Sequence, residues 1–195
     1  MSNKLRLAHV VFQTNRVKAM RDFYCHLLQA EIVFENEHMC FITYDDEHHR
    51  LAFMAMPGGL LERPPNGVGL MHSAYTFESL DALLARYSLL KDDGLEPVAP
   101  VQHGPTTSLY YRDPDGSLAE LQIDNFASPL QATEFMHSEE YIDDPLGPVF
   151  NPERMLQALS RGTPEQTLIT REWARDDSQV PSALARLSGI PVEPM

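Results

Sequence analysis

The strongest constraint on how this chain folds is an order of segments that occurs twice. Arg6 to Phe12 reads as a strand, with Leu7, His9 and Val11 on one face by period-two alternation. Asn15 is placed to cap a helix whose apolar residues Val17, Met20, Phe23, Tyr24, Leu27 and Leu28 recur at helical spacing. Glu31–Glu35, Met39–Tyr44 and His49–Met56 follow as short runs rich in β-branched and aromatic residues, separated by charged turns. A Pro- and Gly-rich linker, residues 57–69, closes this β-α-β-β-β unit. The order then starts again. Leu70–Phe77 is a strand, and Leu80, Leu83, Leu84, Tyr87 and Leu90 stripe a helix closed by Gly94. Glu96–Gln102, Thr107–Arg112 and Leu118–Ile123 are strands, the last two joined by the turn Asp113-Pro114-Asp115-Gly116. Residues 5–56 and 70–123 are two modules of one plan, although their residue-by-residue identity is low.

Residues 126–195 break this order. They hold eight of the 15 prolines and few strand-like runs. Pro152–Arg161 and Pro164–Ala174 read as helices with Pro in the first turn, and Pro181–Leu187 as a shorter one. Phe150, Leu156, Leu159 and Trp173 argue for an extension packed on the core, whereas the acidic stretch Ser138–Asp144 favours local disorder. A partly disordered tail is the competing reading. The sequence therefore divides into a 1–125 domain and a 126–195 extension, within what 195 residues accommodate as one domain.

Charge and composition exclude several classes of function. A formal net charge of −13 with no basic cluster opposes nucleic-acid binding, and its simplest role is solubility. No apolar run of 18 residues is present, so no membrane-spanning helix is expected. The first residues lack the apolar core of a secretory signal, and two cysteines, Cys25 and Cys40, make no disulfide framework. A reducing, cytoplasmic setting is the simplest expectation.

Each module opens on a strand containing one histidine, His9 and His72. A single strand histidine is most often a hydrogen-bonded core residue; two at matching positions are harder to dismiss. Glu120 lies in the last strand of the second module, on the face of Leu118 and Gln122. If that strand is central, an ionised carboxylate there is costly unless paired or bound to a cation. If the face is open to solvent, Glu120 is a surface residue. Two imidazoles and one carboxylate are the facial set that binds non-haem iron(II) and leaves positions open for substrate and oxygen.

Two β-α-β-β-β modules, a histidine opening each, and Asp113-Pro114-Asp115-Gly116-Ser117-Leu118-Ala119-Glu120-Leu121 closing the second resemble the vicinal oxygen chelate superfamily over roughly residues 5–125. That group includes glyoxalase I, methylmalonyl-CoA epimerase, antibiotic-resistance proteins and type I extradiol dioxygenases. The resemblance implies an α+β fold, the two modules forming a cupped mixed sheet around a metal site, with a C-terminal helical and irregular extension. Within the group, His49-Arg50-Leu51-Ala52-Phe53, His103 in Val101-Gln102-His103-Gly104-Pro105, and Tyr110, ten residues before Glu120, are most similar to one-domain extradiol dioxygenases. By that resemblance His9, His72 and Glu120 bind Fe(II), with Mn(II) as the alternative metal, and His49, His103 and Tyr110 line a catechol site. His48 and His49 could exchange roles; alternation puts His49 on the face of Leu51 and Phe53. One of Tyr110 and Tyr111 is expected in the core, and His26, His38 and His137 on the surface.

A glyoxalase-like enzyme would want a further carboxylate in the last strand of the first module, and an epimerase would want carboxylate bases. Arg50–Met56 contains neither, and Glu62 lies beyond it in the linker. The expected activity is therefore extradiol cleavage of a catechol-type diol by O₂, giving a hydroxymuconic-type product. In that reaction His49 would take the second hydroxyl proton, stabilise reduced oxygen and later return the proton. His103 and Tyr110 would hydrogen-bond the substrate oxygen and assist ketonisation. The alternatives are an isomerase or lyase using Mn²⁺, Ni²⁺ or Zn²⁺ on the same scaffold, or a protein that sequesters a small aromatic compound. The expected partners are a small aromatic diol, O₂ and further copies of the chain in a homo-oligomer, with no nucleic acid and no membrane.

Overall fold

The structure is a computed structural model and describes residues 5–64, 67–175 and 183–188. The described residues fall into two compact units, one within residues 1–67 together with 113–116, the other within residues 68–112 together with those after 116.

In the first unit the strands β1 (Val10–Gln13), β2 (Glu31–Glu35), β3 (Met39–Thr43) and β4 (Leu51–Met54) form a sheet in the order β1-β4-β3-β2; the helix α1 (Val17–Leu28) follows β1. β1 runs parallel to β4, and the other pairs are antiparallel. Met20, Tyr24 and Leu27 recur at helical spacing on α1 and are fully buried, as are Cys40, Ile42, Leu51 and Phe53 on β3 and β4. Tyr24 stacks on Phe53 with ring centroids 5.4 Å apart, and Phe12 lies 5.7 Å from Phe53. Phe53→Ala is expected to lower unfolding stability by about 3–5 kcal/mol, measured by urea denaturation, because a fully buried ring leaves a cavity its neighbours fill only in part.

Two local expectations are corrected here. The first strand begins at Val10, not Arg6, because its ladder partner β4 begins only at Leu51. Ahead of it, the Arg50 guanidinium takes the Leu7 and Ala8 carbonyls in place of a strand. Asn15 does not cap α1: Arg16 holds that position, and the Asn15 side chain instead bonds the Leu60 N–H and carbonyl, each at 2.8 Å.

The second unit repeats the plan with β5 (His72–Thr76), α2 (Leu80–Asp92), β6 (Ala99–Gln102), β7 (Thr106–Arg112) and β8 (Leu118–Asp124), in sheet order β5-β8-β7-β6. Ser79 caps α2 through the Ala82 N–H, and Gly94 follows the helix end at φ +82°.

The extension is ordered where sequence composition favoured disorder. α3 (Pro129–Met136) and α4 (Glu139–Asp143) occupy the stretch that includes Ser138–Asp144, each with a serine accepting a hydrogen bond from its first turn, Ser128 and Ser138. These caps are what an acidic, polar composition conceals. α5 (Pro152–Ser160) matches its expected span, with Asn151 as cap. Pro164–Ala174 is two short helices, α6 (Glu165–Leu168) and α7 (Arg171–Arg175). α8 (Ala183–Ser188) covers the described part of the last expected helix; Pro181 and Ser182 lie outside the described residues. Val149, Ala183 and Leu187 pack with Ala99, Val101, Tyr110 and Leu118, so the extension covers one face of the β5-β8-β7-β6 sheet. Among the described residues no helix is long and apolar enough to cross a membrane.

Candidate active site

β8 is an interior strand, flanked by β5 and β7, and Glu120 at its centre is only 4% exposed. Burial on an interior strand rules out the surface reading of this residue. Its neighbours are the other candidates of this unit. Glu120 Oε2 lies 3.2 Å from His72 Nε2, at the start of the adjoining β5. Tyr110 is its cross-strand partner on β7, and the phenol also hydrogen-bonds the carboxylate. The Tyr110 hydroxyl lies 2.9 Å from Nε2 of His103, in the tight turn between β6 and β7. His72, Glu120, Tyr110 and His103 thus form one connected chain of polar groups. Tyr111, one residue on, is fully buried away from this chain, as alternation requires.

Burial pushes the Tyr110 phenol far above its ordinary range, and the charge of Glu120 adds to it. Burial also lowers the His103 imidazole, against the opposing pull of Glu120. At neutral pH the phenol therefore keeps its proton as a donor and His103 is a neutral imidazole.

The ladders show how the two modules correspond. Ala74 on β5 is paired with Glu120, and His72 stands two residues before it. Val11 on β1 is paired with Ala52, and His9 stands two residues before it. Phe41 faces Ala52 across β3 and β4 as Tyr110 faces Glu120 across β7 and β8. His9 is therefore the counterpart of His72, Phe41 of Tyr110, and Ala52 of Glu120. Only the second module brings a carboxylate. Glu62 is engaged elsewhere, by Arg16 at 2.9 Å.

In the first unit His9 and His49 stack at 4.4 Å, and His49 stacks on Phe41 at 4.9 Å. His48 Nδ1 lies 2.6 Å from His49 Nδ1. Desolvation first, then His9 and His48, lowers the His49 imidazole below its ordinary value, so it is a neutral base at neutral pH. The face of His49 differs from the alternation expectation. β4 starts at Leu51, so alternation does not reach back across Arg50. His49 stacks on Phe41, whose ladder partner is Ala52, whereas Leu51 and Phe53 pair with the buried Ile42 and Cys40 of the opposite face. His26, His38 and His137 are exposed, as expected.

Among the described residues no three His, Cys, Asp or Glu side chains are gathered into a metal-binding group. The donors of the second unit nevertheless fit a cation. His72 sets Nε2 beside a buried carboxylate, while its other ring nitrogen, Nδ1, is buried with no hydrogen-bond partner. Two donors bound at right angles to one ion stand about 3 Å apart at ordinary bond lengths, close to the 3.2 Å between His72 Nε2 and Glu120 Oε2. The donor types, neutral imidazole and carboxylate, suit a first-row divalent ion. One buried group escaped the sequence reading: Arg171, 4% exposed, which donates two hydrogen bonds to the His103 carbonyl. Its sequence context, a helical stretch with alternating charges, carries no sign of this.

The chain is similar to biphenyl-2,3-diol 1,2-dioxygenase 3 of Rhodococcus globerulus, with 54% identity over 176 residues, covering 90% of this chain and 93% of the relative. It is also similar to biphenyl-2,3-diol 1,2-dioxygenase 2 of the same organism, at 52% identity over 169 residues, with 87% and 89% covered. Among solved structures, the glyoxylase/bleomycin resistance protein/dioxygenase domain from Frankia sp. EAN1pec shares the fold at a TM-score of 0.52 and 18% identity, over 65% of this chain and 96% of that one. Residues 6–121, which span both modules, match the family described as the Glyoxalase/Bleomycin resistance protein/Dioxygenase superfamily. The doubled module, its paired opening histidines and this match together establish that the chain belongs to that superfamily.

Proposed function

We propose that the protein is an iron(II)-dependent extradiol dioxygenase that opens the ring of a catechol-type diol with O₂, with biphenyl-2,3-diol as its first candidate substrate. The observation that carries this reading is the buried Glu120, bonded to His72 and Tyr110, with Ala52 in the equivalent place of the first module. One carboxylate and two equivalent histidines make the iron(II) facial set; a second carboxylate would have pointed to isomerase chemistry. The names of the two relatives at more than half identity support the same reaction and diol.

In this proposal His9, His72 and Glu120 hold the metal. Bound iron supplies Lewis acidity toward the diol oxygens and a route for electrons from the diol to O₂. The remaining steps belong to side chains. His49 accepts a hydroxyl proton at its neutral imidazole and returns it as the ring opens. Tyr110 keeps its proton, and once the metal takes Glu120 its single O–H turns from that carboxylate to the substrate oxygen, with His103 Nε2 still beside the phenol. Both atoms of O₂ enter the product. The proposal includes a homo-oligomer in a reducing cytoplasm, in keeping with two free thiols, Cys25 and Cys40.

The test is anaerobic loading with Fe(II), addition of biphenyl-2,3-diol or catechol, and admission of air. A yellow ring-opened product is expected, with one O₂ consumed per diol. Iron-loaded protein that consumes no O₂ and forms no colour with either diol would remove the dioxygenase reading.

A further inference from the structure

The turn that carries His103 is gripped by the C-terminal extension. On α7, Arg171 turns its N–H groups to backbone carbonyls. Nε and Nη2 donate to the His103 carbonyl at 3.1 and 2.6 Å, Nη2 to the Asp144 carbonyl at 2.8 Å, and Nη1 to the Glu140 carbonyl at 3.3 Å. The rings of Phe135 and Tyr141 each lie 5.5 Å from the guanidinium carbon. Two glycines make this fit possible. A Cβ on Gly104, at φ +97°, would stand 2.1 Å from the Phe135 ring and 3.1 Å from Arg171 Nε; one on Gly147, at φ +78°, would stand 2.1 Å from the Gln102 carbonyl oxygen and 3.1 Å from Arg171 Nη2. The same short segment holds the His103 ring, which hydrogen-bonds the Leu146 backbone, two residues from Asp144. Arg171 thus ties the His103 main chain to the segment that fixes the His103 side chain.

We infer that Arg171 is a positioning residue for His103: its planar fork sets the His103–Gly104 turn so that Nε2 meets the Tyr110 hydroxyl. This rests on the reading of His103 as a substrate-side group. Lysine is no substitute, because a single ammonium on a flexible stem cannot hold carbonyls in a fork.

The test compares iron-loaded Arg171→Lys, Arg171→Gln, His103→Ala and the Arg171→Lys/His103→Ala double variant, with biphenyl-2,3-diol as substrate. Misplacement of a reacting group by about 1 Å costs roughly 100-fold in rate. The expected result is that Arg171→Lys lowers kcat per bound iron by about 10–100-fold, with KM little changed. The double variant should then be no slower than His103→Ala alone. Equal kcat per iron in wild type and Arg171→Lys overturns the inference, leaving the guanidinium a stabiliser of the fold. Additive losses in the double variant overturn it too. His103→Ala with full turnover would bring down the assignment of His103 itself, and Arg171 with it. Should the Arg171 variants fail to unfold cooperatively, Gly147→Ala carries the test, because it keeps the Arg171 side chain while its added Cβ meets the Gln102 carbonyl oxygen and crowds Arg171 Nη2, disturbing the grip on the turn; the same two outcomes decide.

Discussion

Glu120→Gln is expected to strip the protein of iron and reduce ring cleavage to background, a loss on the order of 10³-fold or more in turnover. The reasoning starts from position. Glu120 is the buried acid on an interior strand, and its counterpart in the first module is Ala52. Among the described residues, the equivalent place in the first module holds no second carboxylate to substitute for it. Glutamine keeps the shape and still offers the Tyr110 hydroxyl an acceptor, so the fold should survive while the anionic donor is lost. His72→Ala should have the same outcome, since His72 Nε2 is the nitrogen beside Glu120 Oε2. The measurement is iron bound per chain after anaerobic loading, by ferrous chelation assay, alongside turnover and far-UV circular dichroism. Full iron occupancy in folded Glu120→Gln, His72→Ala and His9→Ala would refute the ligand set.

His49→Ala has the second large expected effect, and its pattern is different. Iron occupancy and anaerobic diol binding should remain near those of the unaltered protein, while kcat falls by about 10²–10⁴-fold, the usual contribution of a positioned acid or base. His49 is kept neutral by desolvation and by its neighbours His9 and His48, so it enters the reaction able to accept a proton. His49→Phe retains the stacking on Phe41 and should be as slow as alanine, because stacking does not move a proton. His48→Ala is the control. Its ring touches that of His49 but is the more exposed of the two, and the expected loss is less than about tenfold. The opposite ranking would transfer the acid–base role to His48.

Much of this architecture is legible along the chain because it depends on local period. The α1 stripe of Met20, Tyr24 and Leu27, the α2 stripe, and the hairpin turn at Asp113–Gly116 are each encoded within a few residues, and their order repeats. What failed was local in appearance but not in cause. Asn15 has the chemistry of a cap, yet the Leu60 backbone offered both of its amide atoms a partner. The first strand begins where its ladder partner does, which no property of residues 6–9 announces. The acidic stretch Ser138–Asp144 looked too polar to order itself, and became helical around a serine cap.

The candidate site divides along the same line. Sequence alone nominated the residues proposed to carry chemistry: His9 and His72 at equivalent steps of a repeat, Glu120 at the end of a shared motif, and His49, His103 and Tyr110 at family spacings. Residue type and spacing, read with the family resemblance, suffice to nominate them, because both are properties of the chain itself. Only the tertiary structure decided that Glu120 is buried on an interior strand, that Tyr110 and not Tyr111 faces it, and that His49 stacks on Phe41 instead of following Leu51 and Phe53. It alone brought Arg171 to His103 across 68 residues. Strand order, burial and long-range hydrogen bonds depend on which segments meet, and a pattern read within one segment holds no information about its partner.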